Sequence, residues 1–141
     1  MKQRSTVSKR RGPLSRIVIC EDNPQLCRLL VRGLDLEGVK ITVTTTVQGC
    51  LGTLTGAAPD LVLTDLLLKG ENTLALIRQL RAEYSGLKIV AMTGAGHEWL
   101  GLALAQGADC ALEKPFLLDT LAELIQELIT GKNGVCHGAP P

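Results

Sequence analysis

Aromatic side chains are nearly absent from this 141-residue chain, which has Tyr84, Trp99 and Phe116 and no others. None of them interleaves with the basic residues near the N-terminus, which argues against base stacking there and against nucleic acid as a partner. No aliphatic run approaches the roughly 20 residues of a membrane-spanning helix, and the first residues lack the apolar segment of a signal peptide. The expectation is a cytoplasmic protein with no membrane association. The five cysteines, Cys20, Cys27, Cys50, Cys110 and Cys136, are odd in number and lack the paired spacing of a zinc or redox motif, so they read as reduced thiols. Cys136 with His137 offers too few ligands for a structural zinc site.

Acidic residues are missing from the first 16 positions, where Lys2, Arg4, Lys9, Arg10, Arg11 and Arg16 supply six of the chain's 15 basic residues. Nine basic against 14 acidic residues then leave the remainder at −5, a basic tail on an acidic body behind a formal net charge of +1. Residues 1–15 read as a solvated, disordered tail, residues 16–131 as one domain, and the Gly- and Pro-rich residues 132–141 as a flexible C-terminal tail. At 45% hydrophobic, the chain can bury a sizeable core of single-domain size. No room is left for an output domain, so the expectation is a stand-alone unit.

What the chain does have is a set of short aliphatic runs at residues 16–20, 39–44, 60–64, 87–92 and 109–112. Between them lie apolar residues at helical spacing: Leu26, Leu29, Leu30 and Leu34; Leu74, Ile77 and Leu80; and Leu121, Leu124, Ile125 and Leu128. Five β-α alternations with continuously apolar strands predict an α/β protein, a doubly wound five-stranded parallel sheet covered by helices on both faces. Asn23 and Pro24 read as the cap and first turn of the first helix.

At the downstream ends of these runs stand Glu21, Asp22, Asp65, Thr93 and Lys114. In open sheets of this kind the ligand crevice lies outside the carboxyl ends of the strands. Three carboxylates gathered there repel one another unless a cation joins them or their protonation shifts, and hard oxygen ligands favour Mg2+. A lysine point charge and a threonine hydroxyl suit phosphoryl oxygens, so the chemistry implied is phosphoryl transfer. Taken singly, each residue has a plainer reading as a helix cap, a turn former or a solvated charge.

In order and position, Glu21-Asp22, Asp65, Thr93 and Lys114-Pro115 make residues 16–131 resemble the receiver domains of two-component response regulators, of the CheY-like superfamily. The resemblance implies a (βα)5 flavodoxin-like fold with strand order 2-1-3-4-5 and a cis bond before Pro115. It implies that Asp65 is the phosphoacceptor, taking a phosphoryl group from a phosphohistidine on a sensor histidine kinase or histidine phosphotransfer protein. Glu21, Asp22, Asp65 and the backbone carbonyl of Leu67 would hold Mg2+, while Thr93 and Lys114 would bind the phosphoryl oxygens. Output would pass by contact to a downstream protein target. Such a domain assists its own phosphorylation and dephosphorylation without being an enzyme in the ordinary sense.

Departures from the family pattern touch signal transmission. Receivers usually carry an aromatic residue three positions before the lysine, and here Ala111 stands there, so coupling must run through Thr93-Gly94-Ala95-Gly96 and the helix beginning near His97. Lys69 and Thr73 replace the family's usual proline and glycine, and Lys69 is expected to face solvent. Leu67 cannot orient water, which predicts slow self-dephosphorylation. Trp99 is open to two readings, core packing or an interface anchor, and with Ala111 marks a candidate partner surface. The stripe of the fifth helix, from Leu117 to Leu128, leaves a homodimer open.

Two other functions compete with the phosphorylated switch. A pseudo-receiver would bind partners without phosphorylation, as the altered switch positions allow. A magnesium-dependent phosphohydrolase is disfavoured because Leu67 stands where its acid/base aspartate would be.

Overall fold

Alternate residues of an extended strand point to opposite faces, so a strand apolar at every position must be covered on both. The computed structural model, which describes residues 15–34 and 38–131, is built in that way. The elements run β1 (Ser15–Cys20), α1 (Pro24–Gly33), β2 (Val39–Thr44), α2 (Val47–Thr53), β3 (Leu61–Asp65), β4 (Leu67–Leu68), β5 (Glu71–Asn72), α3 (Leu74–Glu83), β6 (Lys88–Thr93), α4 (Glu98–Gln106), β7 (Cys110–Glu113) and α5 (Leu118–Thr130). The basic tail, apart from Ser15 in β1, and the C-terminal tail with Cys136 and His137 lie outside the described residues.

One sheet has the order β2-β1-β3-β6-β7, every neighbouring pair parallel, which is the expected 2-1-3-4-5 when the sheet strands alone are counted. Ile17, Ile19, Leu61, Leu63, Val90 and Met92 pack on one face against Leu30 of the first helix, its C-cap residue Leu34, and Leu121, Leu124, Ile125 and Leu128 of the last helix. Val18, Cys20, Val62, Ile89, Ala91 and Ala111 pack on the other, against Cys50, Ile77, Leu80, Leu100 and Ala103. Each such large aliphatic side chain contributes about 1.5–3 kcal/mol on full burial. Leu29, expected in the α1 stripe, is exposed, as is Leu117, which caps α5 from outside the helix.

Asn23 caps α1 as its sequence suggests, its Oδ1 accepting from the N–H groups of Gln25 and Leu26 at 2.9 and 3.1 Å, with Pro24 in the first turn. The Lys114–Pro115 bond is cis, as the resemblance implied.

The sequence runs did not suggest the small antiparallel hairpin of β4 and β5, paired Leu67 to Asn72 and Leu68 to Glu71. Its corner is Lys69-Gly70 with φ 50° and 80°, both left-handed, as the twist of a two-residue hairpin demands. Lys69 is the only non-glycine with positive φ among the described residues.

Candidate functional site

Parallel pairing fixes which side chains meet. Cys20 is in register with Thr64, Asp65 with Met92, and Thr93 with Glu113, so the residues that end or follow these strands emerge side by side along one edge. Asp65 and Thr93 prove to be the last residues of β3 and β6, one position further into the sheet than the aliphatic runs suggested. One carboxylate oxygen from each of Glu21, Asp22 and Asp65 lies within 4.8 Å of the others. Lys114 reaches this cluster, its Nζ donating to Glu21 Oε1 at 2.9 Å and to Asp65 Oδ2 at 2.8 Å.

Each carboxylate is also held by backbone. Glu21 Oε2 accepts from the Asn23 N–H at 3.0 Å, Asp22 Oδ2 from the Lys69 N–H at 2.9 Å, and Asp65 Oδ1 from the Leu67 N–H at 3.2 Å. Glu21 is 1% exposed, and this burial pushes its carboxyl above the ordinary range despite the bonds from Lys114 and Asn23. Burial would pull the Lys114 ammonium down, but the hydrogen bonds and charges of Asp65 and Glu21 outweigh it and raise the group. An all-oxygen set of three carboxylates clustered this closely suits a hard divalent cation.

Beside Asp65 lies a cavity of about 280 Å³ lined by Asp65, Leu66, Leu67, Thr93, Gly94, Ala95, Trp99 and Lys114. The Thr93 hydroxyl accepts from the Ala95 N–H at 2.9 Å, tying it to its own loop, while its proton remains for donation. Trp99 is half-buried, packs against the α2–α3–α4 side of the core and forms one cavity wall. Ala111 offers a partner nothing: it is completely buried on the sheet face beneath α4 and is no part of a surface.

Two roles were not legible beforehand. Lys69 contributes its backbone N–H, a donor that no side-chain pattern reveals, and its exposed residue lies beyond the cavity lining. Thr73, noted only as a departure, is buried with its hydroxyl on the main chain of Asp65.

A parallel sheet of order 2-1-3-4-5 with acidic groups, a hydroxyl and a lysine along its carboxyl edge defines a flavodoxin-like receiver fold. The chain belongs to the response regulator receiver domain family, whose model matches residues 17–126. It is 37% identical over 102 residues to the DNA-binding response regulator MtrA of Mycolicibacterium smegmatis, covering 72% of this chain and 44% of that protein. It is 30% identical over 115 residues to the DNA-binding transcriptional regulator NtrC of Klebsiella pneumoniae, covering 79% of this chain and 24% of that one. The chain thus spans less than half the length of these curated relatives. Among solved structures, a CheY-like receiver domain protein from Methanospirillum hungatei superposes with a TM-score of 0.76 at 26% identity, over 84% of this chain and 95% of that one. A two-component response regulator from Clostridium difficile gives 0.77 at 22% identity, over 84% and 98%, and supports the fold alone. Among the described residues, no helix is long and apolar enough to cross a membrane.

Proposed function

We propose that Asp65 is a phosphoacceptor, taking its phosphoryl group from a phosphohistidine on a sensor histidine kinase or histidine phosphotransfer protein in the cytoplasm. The observation that carries this reading is the Lys114 ammonium 2.8 Å from Asp65 Oδ2, inside a cluster of three carboxylates. In the transfer, the N–P bond of the phosphohistidine breaks with its electron pair leaving on the imidazole, and an O–P bond forms to an Asp65 carboxylate oxygen. The transition state is loose, so the protein contributes chiefly position and charge. Lys114 moves from bridging two carboxylates to meeting a phosphoryl oxygen, and Thr93 donates its hydroxyl proton to another. The buried Glu21 and Asp65 and the half-buried Asp22, with the backbone carbonyl of Leu67, would hold Mg2+. That ion, when bound, offsets carboxylate charge and polarises a phosphoryl oxygen.

With Ala111 in place of a ring, the consequence is carried by the segment from Thr93 to His97, because moving the Thr93 hydroxyl toward the phosphoryl group draws along the Ala95 N–H bonded to it. The altered loop and α4 then change contact with a downstream protein target. Incubation with acetyl phosphate and Mg2+, read by intact mass, tests the reading. A gain of one phosphoryl group that is lost in Asp65→Asn supports it; an unchanged mass for the folded wild type favours a pseudo-receiver that binds without phosphorylation.

A further inference from the structure

Thr73 occupies the N-cap position of α3, where a threonine oxygen ordinarily accepts from an N–H of the helix's first turn. It makes no such bond. Asn72 Oδ1 takes the N–H of Leu74 instead, at 3.0 Å. The Thr73 hydroxyl, buried in the protein, donates to the main-chain carbonyl of Asp65 at 2.8 Å. The same carbonyl accepts the hydroxyl of Thr64 at 2.9 Å, so both of its lone pairs are engaged by side chains. The Thr73 backbone completes the link, its N–H donating to Leu66 O at 3.0 Å and its carbonyl accepting from Ile77 at 3.0 Å.

We propose that Thr73 is a positioning residue for phosphoryl transfer, one that fixes the backbone of Asp65 against α3 and so sets where the attacking carboxylate stands. The inference rests on Asp65 being the phosphoacceptor. Asp65 has one short side chain between its backbone and the reacting oxygen, so a tilt at its peptide moves that oxygen directly. That carboxylate stands 2.8 Å from the Lys114 ammonium and offers an oxygen within 4.8 Å of those of Glu21 and Asp22, so its position is constrained from two sides. A displacement of about 1 Å at such a site can cost up to about a hundredfold in rate. The residue also explains a broken local rule, since a capping hydroxyl is withdrawn from its own helix and directed to a neighbouring strand end.

The test compares wild type, Thr73→Val, which keeps the shape and removes the donor, and Thr73→Ser, which keeps the donor. Phosphoryl uptake from acetyl phosphate is followed by intact mass across donor concentrations at saturating Mg2+, on chains whose folding is verified by circular dichroism. The expected result is a maximal rate lowered about tenfold in the valine variant at an unchanged half-saturating donor concentration, with the serine variant within about twofold of wild type. A valine variant as fast as wild type, or a serine variant as slow as valine, overturns the proposal. Should the valine chain not fold, Thr73→Ala against Thr73→Ser makes the same comparison: a slow alanine variant beside a fast serine variant supports the proposal, and equal rates overturn it. A wild type that takes up no phosphoryl group on Asp65 overturns the phosphoacceptor reading and this inference with it, whereas normal wild-type uptake beside an unimpaired valine variant overturns this inference alone.

Discussion

Replacing Lys114 by methionine removes the one ammonium that joins Glu21 to Asp65 while keeping most of the side chain's apolar stem. The two carboxylates it leaves behind are 1% and 10% exposed, so water compensates poorly for its loss. Truncating one partner of a buried ion pair costs about 3–5 kcal/mol, and the 23% exposure of the Lys114 side chain brings the expected loss toward about 2–3 kcal/mol. For a domain of this size that is a fall of about 10 °C in melting temperature. The pH dependence has a definite sign. Burial raises Glu21 in the folded state above its ordinary 4.5, so its contribution to stability is complete below 4.5 and is lost as pH rises through the folded value. Lys114 is raised above 10.5 when folded, so its contribution persists below 10.5 and is lost only at higher pH. Across the neutral range the lysine therefore offsets a buried carboxylate. The deficit of Lys114→Met should shrink as pH falls toward 4.5. Thermal melts followed by circular dichroism, with and without about 10 mM Mg2+, are the assay, and the ion should stabilise the variant more than the wild type because it replaces a missing cation. A variant as stable as wild type at neutral pH without metal, or a deficit that is the same at every pH, would refute this electrostatic account.

Lys69 is strained by its left-handed φ of 50°, so Lys69→Gly should stabilise the fold by about 0.5–1 kcal/mol and leave Mg2+ affinity unchanged, as measured by chemical denaturation and titration calorimetry. Lys69→Pro imposes the opposite φ and deletes the N–H that holds Asp22, so it should cost about 3 kcal/mol and weaken Mg2+ binding. Leu67, 51% exposed at the cavity wall, cannot orient water, so phospho-Asp65 should outlast seconds. Leu67→Asn should shorten that lifetime about tenfold, less than a full general base supplies, and loss of the phosphoryl mass with time measures it.

The gathering of Glu21, Asp22, Asp65, Thr93 and Lys114 could be anticipated because it follows from where apolar runs stop, whereas the strand order 2-1-3-4-5 came from the resemblance to receiver domains. A parallel sheet buried on both faces leaves polar residues nowhere else to stand, and parallel register then collects them. Asn23 was equally legible, since capping depends on local chemistry. The hairpin of residues 67–72 was not, because two-residue strands have no period, and its turn is built on Lys69 where Asn or Gly would have signalled it. The backbone donor of Lys69 and the diverted hydroxyl of Thr73 depend on tertiary placement that side-chain identity does not encode. Leu29 and Leu117 fit an apolar pattern yet are exposed, Leu29 in the middle of α1 beside the buried Leu30 and Leu117 at the N-cap position before α5. Ala111 was placed by analogy to a surface that, in this chain, lies beneath α4.

The most direct measurement is to locate the phosphoryl group itself. Wild-type protein treated with acetyl phosphate and Mg2+, then reduced with borohydride, should yield a peptide with homoserine at position 65, and the same treatment without Mg2+ should yield little. Homoserine at another position, or its absence from a folded protein under both conditions, would contradict the assignment of Asp65 as the acceptor.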